Sequence, residues 1–203
     1  YVRSVNAFQI PIDSYYLFDT ETNTAYVELS NTVGIRHLQV HDLNILKATT
    51  HGVGMQMAHA LDAGITTIYI GLGGSASNDM SMGLLEALGF IFMNATNEPI
   101  PYTFDQLSQI DSFSLTDKLK EKFNHCSFYA VNDVINPLFG PTGAANTYGP
   151  QKGGTKEIVN KLDTAFKEFT ARFNFPYSYD IMLEGGGAAG GTAYGLKAFL
   201  NAQ

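Results

Sequence analysis

Two hydrophobic periods alternate along the chain. Short apolar and β-branched runs, Tyr15-Tyr16-Leu17-Phe18-Asp19 and Ala25-Tyr26-Val27-Glu28-Leu29, flank the polar turn Glu21-Thr22-Asn23 and predict a hairpin. From Thr49 to Ala63 the period lengthens. Gly52-Val53-Gly54 leads into Met55, Met57, Ala58, Ala60 and Leu61, a helix that Gly64 ends. Ile65-Thr66-Thr67-Ile68-Tyr69-Ile70 is an unbroken β-branched run, the signature of a buried strand, and it feeds directly into the loop Gly71 to Asp79. Met82 to Leu88 predicts the next helix, closed by Gly89, and Phe90-Ile91-Phe92 a further strand. Helix, strand, Gly-rich loop and helix in succession is the grammar of α/β folds.

The second half is less regular. Asn94 to Lys118 is polar, carries Pro99 and Pro101, and shows no period. Ser127 to Val131 predicts a strand that ends at Asn132-Asp133, and a loop is expected from Asn136 to Gly154. Thr155 fits an N-cap, because Ile158, Val159, Leu162, Phe166, Phe169 and Phe173 then recur at helical spacing. Gly185 to Gly191 holds only Gly and Ala, and leads into a helix with Leu196, Phe199 and Leu200. No repeat and no linker divides the chain. The expectation is one compact α/β domain over residues 1–203, a layered unit with a mixed, partly parallel sheet flanked by helices.

Composition narrows the function. The 203 residues are 45% hydrophobic and only 15% charged, which excludes disordered, collagen-like and coiled-coil chains and suggests that part of the surface is covered in its native setting. A net charge of −7 argues against nucleic acid, whose binders need basic stripes. No apolar run approaches the ~20 residues of a membrane span, so no membrane partner is expected. The single cysteine, Cys126, fits a reducing, cytoplasmic setting. A chain that starts at Tyr1 reads as a piece of a longer polypeptide. Between Lys47 and Lys118 there is no Lys or Arg. An anion held there must be held by backbone N–H groups, helix N-termini or a divalent metal.

The Gly71–Asp79 loop is the sharpest candidate. Its glycines permit close backbone approach where a strand meets a helix, the geometry that cradles a phosphate. Asn78 and Asp79 stand where a side chain either caps the helix or reaches a metal. Gly71-x-Gly73-x-x-Ala76 matches only the weaker dinucleotide fingerprint, with Glu98 a loose fit for its acidic partner. No Gly-Lys-Ser/Thr occurs, and Ser77 stands where a nucleophile elbow around Ser75 needs Gly. Asp133, with Asn136 close behind, reads as a general base or metal ligand at a strand end, or as an Asx turn before Pro137. Lys152, set among glycines before a helix, reads as a phosphate contact or a solvated lysine. His37 and His41 lack a third metal ligand; His51, beside Gly52, is the histidine placed to touch a polar ligand.

These blocks together resemble a known family. Gly73-Gly74-Ser75-Ala76-Ser77-Asn78-Asp79 is similar to the GGSATND signature of the bacterial type I glycerate kinases. Ala25 to Ser30 resembles that family's avIEmA strand, Thr49 to Gly54 its TSYGvGe segment, and Asn132 to Leu138 its CDVDNPL block. Gly143 to Gly153 is similar to GASxxFGPQKG, and Gly187 to Gly191 to the GAGAAGG tail. The resemblance implies ATP-dependent phosphorylation of D-glycerate with Mg²⁺. It also implies that this chain is the central, inner domain of a two-domain enzyme whose active site lies between the domains. The family's DSFKGSL, ADGGEG and GEGxxDxQ motifs have no counterpart here, so the second domain would be the missing partner.

The resemblance assigns phosphate or glycerate binding to Gly73, Gly74, Ser75 and Asn78, with His51, Asn136 and Lys152 as further polar contacts. Asp79 and Asp133 are the catalytic and metal candidates, expected to face one cleft because both follow strands whose carboxyl ends should share an edge of the sheet. Met80, Ser81, Asn132, Ile135 and His51 depart from the family pattern. Two other classes stay open: a non-catalytic binding or regulatory domain of the same fold, which Ile135 favours, and a dinucleotide oxidoreductase built on the Gly71 loop.

Overall fold

A computed structural model describes all 203 residues. It opens with a hairpin that the hydrophobic pattern does not announce: β1 (Val2–Val5) pairs antiparallel with β2 (Pro11–Ser14). Two buried serines mask its alternation. The Ser4 hydroxyl donates to the Gly52 carbonyl at 2.8 Å, and the Ser14 hydroxyl to the Val2 carbonyl at 2.9 Å. The expected second hairpin is present in shortened form as β3 (Leu17–Asp19) and β4 (Thr24–Glu28).

After a short α1 (Ser30–Val33) come α2 (His51–Asp62), β5 (Thr67–Gly71) and α3 (Met82–Ala87), within two residues of the predicted starts. The polar middle is structured. It holds β6 (Ile91–Met93) paired antiparallel with β7 (Ser112–Ser114), then α4 (Asp117–Asn124). β8 (Ser127–Val131) follows as predicted. The region expected to be loop contains α5 (Ala144–Tyr148) and a 3₁₀ turn at Pro150–Lys152. The Thr155 hydroxyl then accepts from the Ile158 N–H, capping α6 (Lys156–Arg172). The last element is α7 (Ala188–Leu200), whose first turn contains three successive left-handed residues, Ala189, Gly190 and Gly191.

The central sheet has the order β3-β4-β5-β8, with β3 antiparallel and β4, β5 and β8 mutually parallel. It is therefore mixed and partly parallel, as expected. Ala25, Val27, Ile68, Ile70 and Phe128 point to its covered face, where α2 and α7 pack. Phe199 of α7 is the hub of an aromatic cluster, with ring centroids of Phe90, Phe113, Phe173 and Phe175 all 5.3–5.7 Å away. One contiguous apolar core runs from Ala7 to Ala202. On the opposite face Tyr26, Tyr69 and Tyr129 occupy aligned positions on β4, β5 and β8. Their rings stack at 5.6 Å and 4.5 Å, and Tyr26 remains half exposed.

Candidate active site

The three parallel strands end in register at Glu28, Gly71 and Val131. Beyond those carboxyl ends lies a cleft of about 530 Å³, where open α/β sheets gather their ligands. Gly71 leaves room there: a Cβ at this position would stand 2.6 Å from Glu28 Oε2 and displace that flexible side chain. Its absence lets the Glu28 carboxylate lean across the strand end and line the cleft.

The loop after β5 forms the floor. Gly74 takes a φ of +67°, which glycine adopts without strain. A second segment straps this loop down: Ile35 N–H donates to the Gly74 carbonyl at 2.9 Å, and Ala76 N–H to the Val33 carbonyl at 2.8 Å. The N–H groups of Gly73, Gly74 and Ser75 have no acceptor within the chain, and all three residues line the cleft. Three adjacent unused donors on a fixed loop make an anion cradle. Gly73, Gly74 and Ser75, expected to bind phosphate or glycerate, are thus among the residues that line the cleft.

Lys152 is brought to the same spot from the 3₁₀ turn after α5, but it is not a solvated lysine. It is 2% exposed, and its ammonium donates to Ser75 Oγ at 2.7 Å and to the Ser77 carbonyl at 2.6 Å. Burial pushes its pKa down to about 7, with the nearby Asp79 acting in the opposite sense. Asp133 also lines the cleft and is exposed. The Asx turn of this segment belongs to its neighbour, since Asn132 Oδ1 accepts from the Val134 N–H at 3.3 Å.

Four predicted residues are placed differently. Asp79 does not face the cleft; it is 1% exposed, behind the loop. Its Oδ2 accepts from Thr50 N–H (2.7 Å), Thr50 Oγ1 (2.9 Å), Thr49 Oγ1 (3.2 Å) and Gly83 N–H (3.3 Å). That ties the Gly-rich loop to the starts of α2 and α3, while burial raises its pKa against those bonds. Asn78 is also buried, because Gly190 of α7 packs on it so closely that a Cβ there would sit 2.5 Å from Asn78 Cα. His51 starts α2 beside this knot and not on the cleft, and desolvation lowers its pKa, with Asp79 opposing. Asn136 uses its whole amide internally: it donates to the Thr142 carbonyl and Thr147 Oγ1, and accepts from the Tyr148 hydroxyl at 2.7 Å. It therefore positions Tyr148, which does line the cleft.

The expected pairing of Asp79 with Asp133 on one metal is therefore corrected. No group of three His, Cys, Asp or Glu side chains converges to hold a metal, whereas Mg²⁺ needs only one or two carboxylates beside phosphate oxygens and water. The carboxylates that reach the cleft are Asp133 and Glu28. Glu28, Asn132, Tyr148 and Gln151 are lining residues that sequence reasoning missed. The signal for Glu28 was its place at the end of β4, hidden until β4 is seen to run parallel to β5. The dinucleotide reading loses its acidic partner, since Glu98 is held by Asn94 and Thr96 away from the cleft.

Comparison with known proteins covers the whole chain. The profile of the family described as "Glycerate kinase family" matches residues 1–203. The chain is 34% identical over 190 residues to a glycerate kinase of Bacillus cereus, covering 93% of this chain and 50% of that protein. It is 33% identical over 184 residues to the glycerate 2-kinase of Escherichia coli K12, covering 89% and 47%. A crystal structure from Salmonella typhimurium LT2, described as a putative glycerate kinase 2, superposes with a TM-score of 0.89 at 34% identity, covering 100% of this chain and 54% of that one. The chain spans about half the length of the curated relatives it matches. With the family profile matching its whole length and the fold superposing on that crystal structure, this chain belongs to the glycerate kinase family.

Proposed function

We propose that this chain is the inner domain of a bacterial type I glycerate kinase and supplies one wall of the site where ATP phosphorylates D-glycerate. The observation that carries the reading is the cradle: three unused backbone N–H groups and a buried lysine at the carboxyl end of a parallel sheet. Phosphoryl transfer asks chiefly for positioning and for neutralisation of negative charge. Here Gly73, Gly74 and Ser75 hold a carboxylate or phosphate oxygen, and Asp133 stands at the rim as the candidate base for the glycerate hydroxyl. Asp133 and Glu28 are also the carboxylates in reach of a Mg²⁺ that arrives as the counter-ion of ATP. Lys152 is the one Lys or Arg that lines this cleft. The remaining cations, and the closure that excludes water, are assigned to a second domain of the same polypeptide. No helix is long and apolar enough to cross a membrane, and we place the enzyme in the cytoplasm. The exposed Ile135 does not line the cleft, so its departure from the family pattern leaves the cleft carboxylates in place.

The test is a thermal-shift and ATP-consumption series on the 203-residue chain with D-glycerate, ATP–Mg²⁺ and NAD⁺. A ligand at one hundred times its Kd stabilises by about 2.7 kcal/mol, or roughly 5–11 °C for a chain of this size. D-glycerate or ATP–Mg²⁺ should produce such a shift and NAD⁺ none, without ATP turnover. Stabilisation by NAD⁺ alone would overturn the kinase reading. Turnover at the rate of the Escherichia coli relative would overturn the two-domain account.

A further inference from the structure

We propose that Lys152 is the positioning residue of the anion cradle, a buried cation whose counter-ion is the bound ligand, so that binding of a small oxyanion draws a proton from solvent onto its Nζ. This role rests on the cleft being an anion site, as read above, and deepens that reading.

The hydrogens on Nζ can be counted. An ammonium carries three N–H donors and a neutral amine two. Lys152 has two acceptors in the chain, Ser75 Oγ and the Ser77 carbonyl. The two donors of the neutral amine are therefore both satisfied by the loop, and the third position on Nζ, a lone pair in the amine or a hydrogen in the ammonium, has no partner within the protein. Nor has the charge of the ammonium. None of the four ion pairs in the molecule includes Lys152. A lysine that is 2% exposed without a paired carboxylate is rare, because burying an unpaired charge is costly.

The charged and titratable groups around it do not fill that role. Asp79, from the loop, acts on Lys152 only through space: its Oδ2 is taken by Thr49, Thr50 and Gly83, and its buried Oδ1 bonds to no group, Nζ included. Glu28 at the end of β4, Asp133 after β8 and the Tyr148 hydroxyl of α5 line the cleft but make no bond to Nζ. Behind Gly153 lies the Leu43 backbone, and the neighbouring His41 and Asp42 pair with each other at the surface. The α7 residues at the cleft, Ala188 and Ala189, are apolar. A carboxylate or phosphate-type oxygen seated on the N–H groups of Gly73, Gly74 and Ser75 supplies what is missing: a negative charge beside a lysine already bonded to that loop. With the empty-state pKa held down to about 7, the charge of the ligand restores the proton.

The experiment is isothermal titration calorimetry of the chain with D-glycerate and, separately, with sulfate. Neither probe titrates near neutrality, and the two distinguish a carboxylate source from a tetrahedral one. Each is run at pH 6, 7 and 8 in two buffers of different ionisation enthalpy, which counts protons. For the probe that binds, uptake should rise from roughly a tenth of a proton at pH 6 to about half at pH 7 and toward one at pH 8. Lys152→Met should abolish the uptake and weaken binding about tenfold or more. Lys152→Arg should keep binding and lose only the uptake, because guanidinium does not titrate. Should Lys152→Met fail to fold by circular dichroism, the wild-type proton count decides alone. Binding without uptake at pH 7 and 8 would overturn this inference and leave the cradle standing. Failure of both probes to bind would overturn the cradle itself.

Discussion

Replacing Asp79 by Ala separates a catalytic carboxylate from a structural one. The side chain accepts four hydrogen bonds on one oxygen, two from backbone N–H groups of Thr50 and Gly83 and two from the hydroxyls of Thr49 and Thr50. The hydroxyls can rotate to other acceptors. The buried N–H groups cannot, and each left bare costs about 1–3 kcal/mol. Against this stands relief of the buried carboxylate, whose desolvation is the first cause of its raised pKa. The expected net loss is about 3 kcal/mol, or roughly 6–12 °C in Tm for a chain of this length. Asp79→Asn keeps an oxygen acceptor in the same place and should lose about 1 kcal/mol. The pH dependence has a defined sign. Because the folded pKa lies above 3.8, the native state binds this proton more tightly than the unfolded chain. The stability contributed by protonated Asp79 is thus present at low pH and lost as pH rises through the folded value. Thermal melts followed by circular dichroism between pH 4 and 8 measure both effects. A Tm of Asp79→Ala within about 2 °C of wild type would refute the structural assignment.

Three further outcomes are expected. Asp133→Asn alters an exposed side chain on the cleft, so Tm should move by no more than about 2 °C, while the thermal shift given by ATP–Mg²⁺ or D-glycerate is lost. The lowered pKa of Lys152 means that the unfolded chain holds that proton more tightly than the native state, so stability in urea should rise between pH 7 and 10 and Lys152→Met should flatten the slope. Burial pushes the Cys126 thiol up to about 12. Its alkylation by iodoacetamide at pH 8 should therefore run at least about a hundredfold slower in the folded chain than in urea.

What was legible in the sequence was what neighbouring residues decide. The strand from Ile65, the glycines after it, the Thr155 cap and the apolar stripe of α6 all follow from local period and local caps. β1 escaped because its inward positions include Ser4, whose burial depends on a carbonyl 48 residues away. α4 escaped because it is only eight residues long: its apolar stripe is the single pair Leu119 and Phe123, neither fully buried, among five charged positions, although Thr116 caps it. α5 is five small or polar residues and offers no period at all. The site divides in the same way. The Gly-rich loop between β5 and α3 is a local property of the backbone, and it was legible for that reason. Whether Asp79 turns toward the ligand or away is decided by Thr49 and Thr50, about thirty positions distant, and whether Glu28 reaches the cleft by a parallel pairing with β5. Lys152 was found by its motif, but its burial against Ser75 is a tertiary fact.

The tyrosine ladder has an optical consequence. The protein contains 11 tyrosines and no tryptophan, so its ultraviolet emission comes from phenols alone. Tyr26, Tyr69 and Tyr129 hold their rings within 15° of parallel across three strands, close enough for their transitions to couple. Coupled chromophores of fixed handedness give a signed near-ultraviolet band that isolated phenols do not. A one-residue slip of β4 or β8 would turn its tyrosine to the opposite face and remove one of the two stacked pairs, weakening that band. The protein thus carries a built-in spectroscopic gauge of strand alignment, seated on the same three strands whose ends define the cleft.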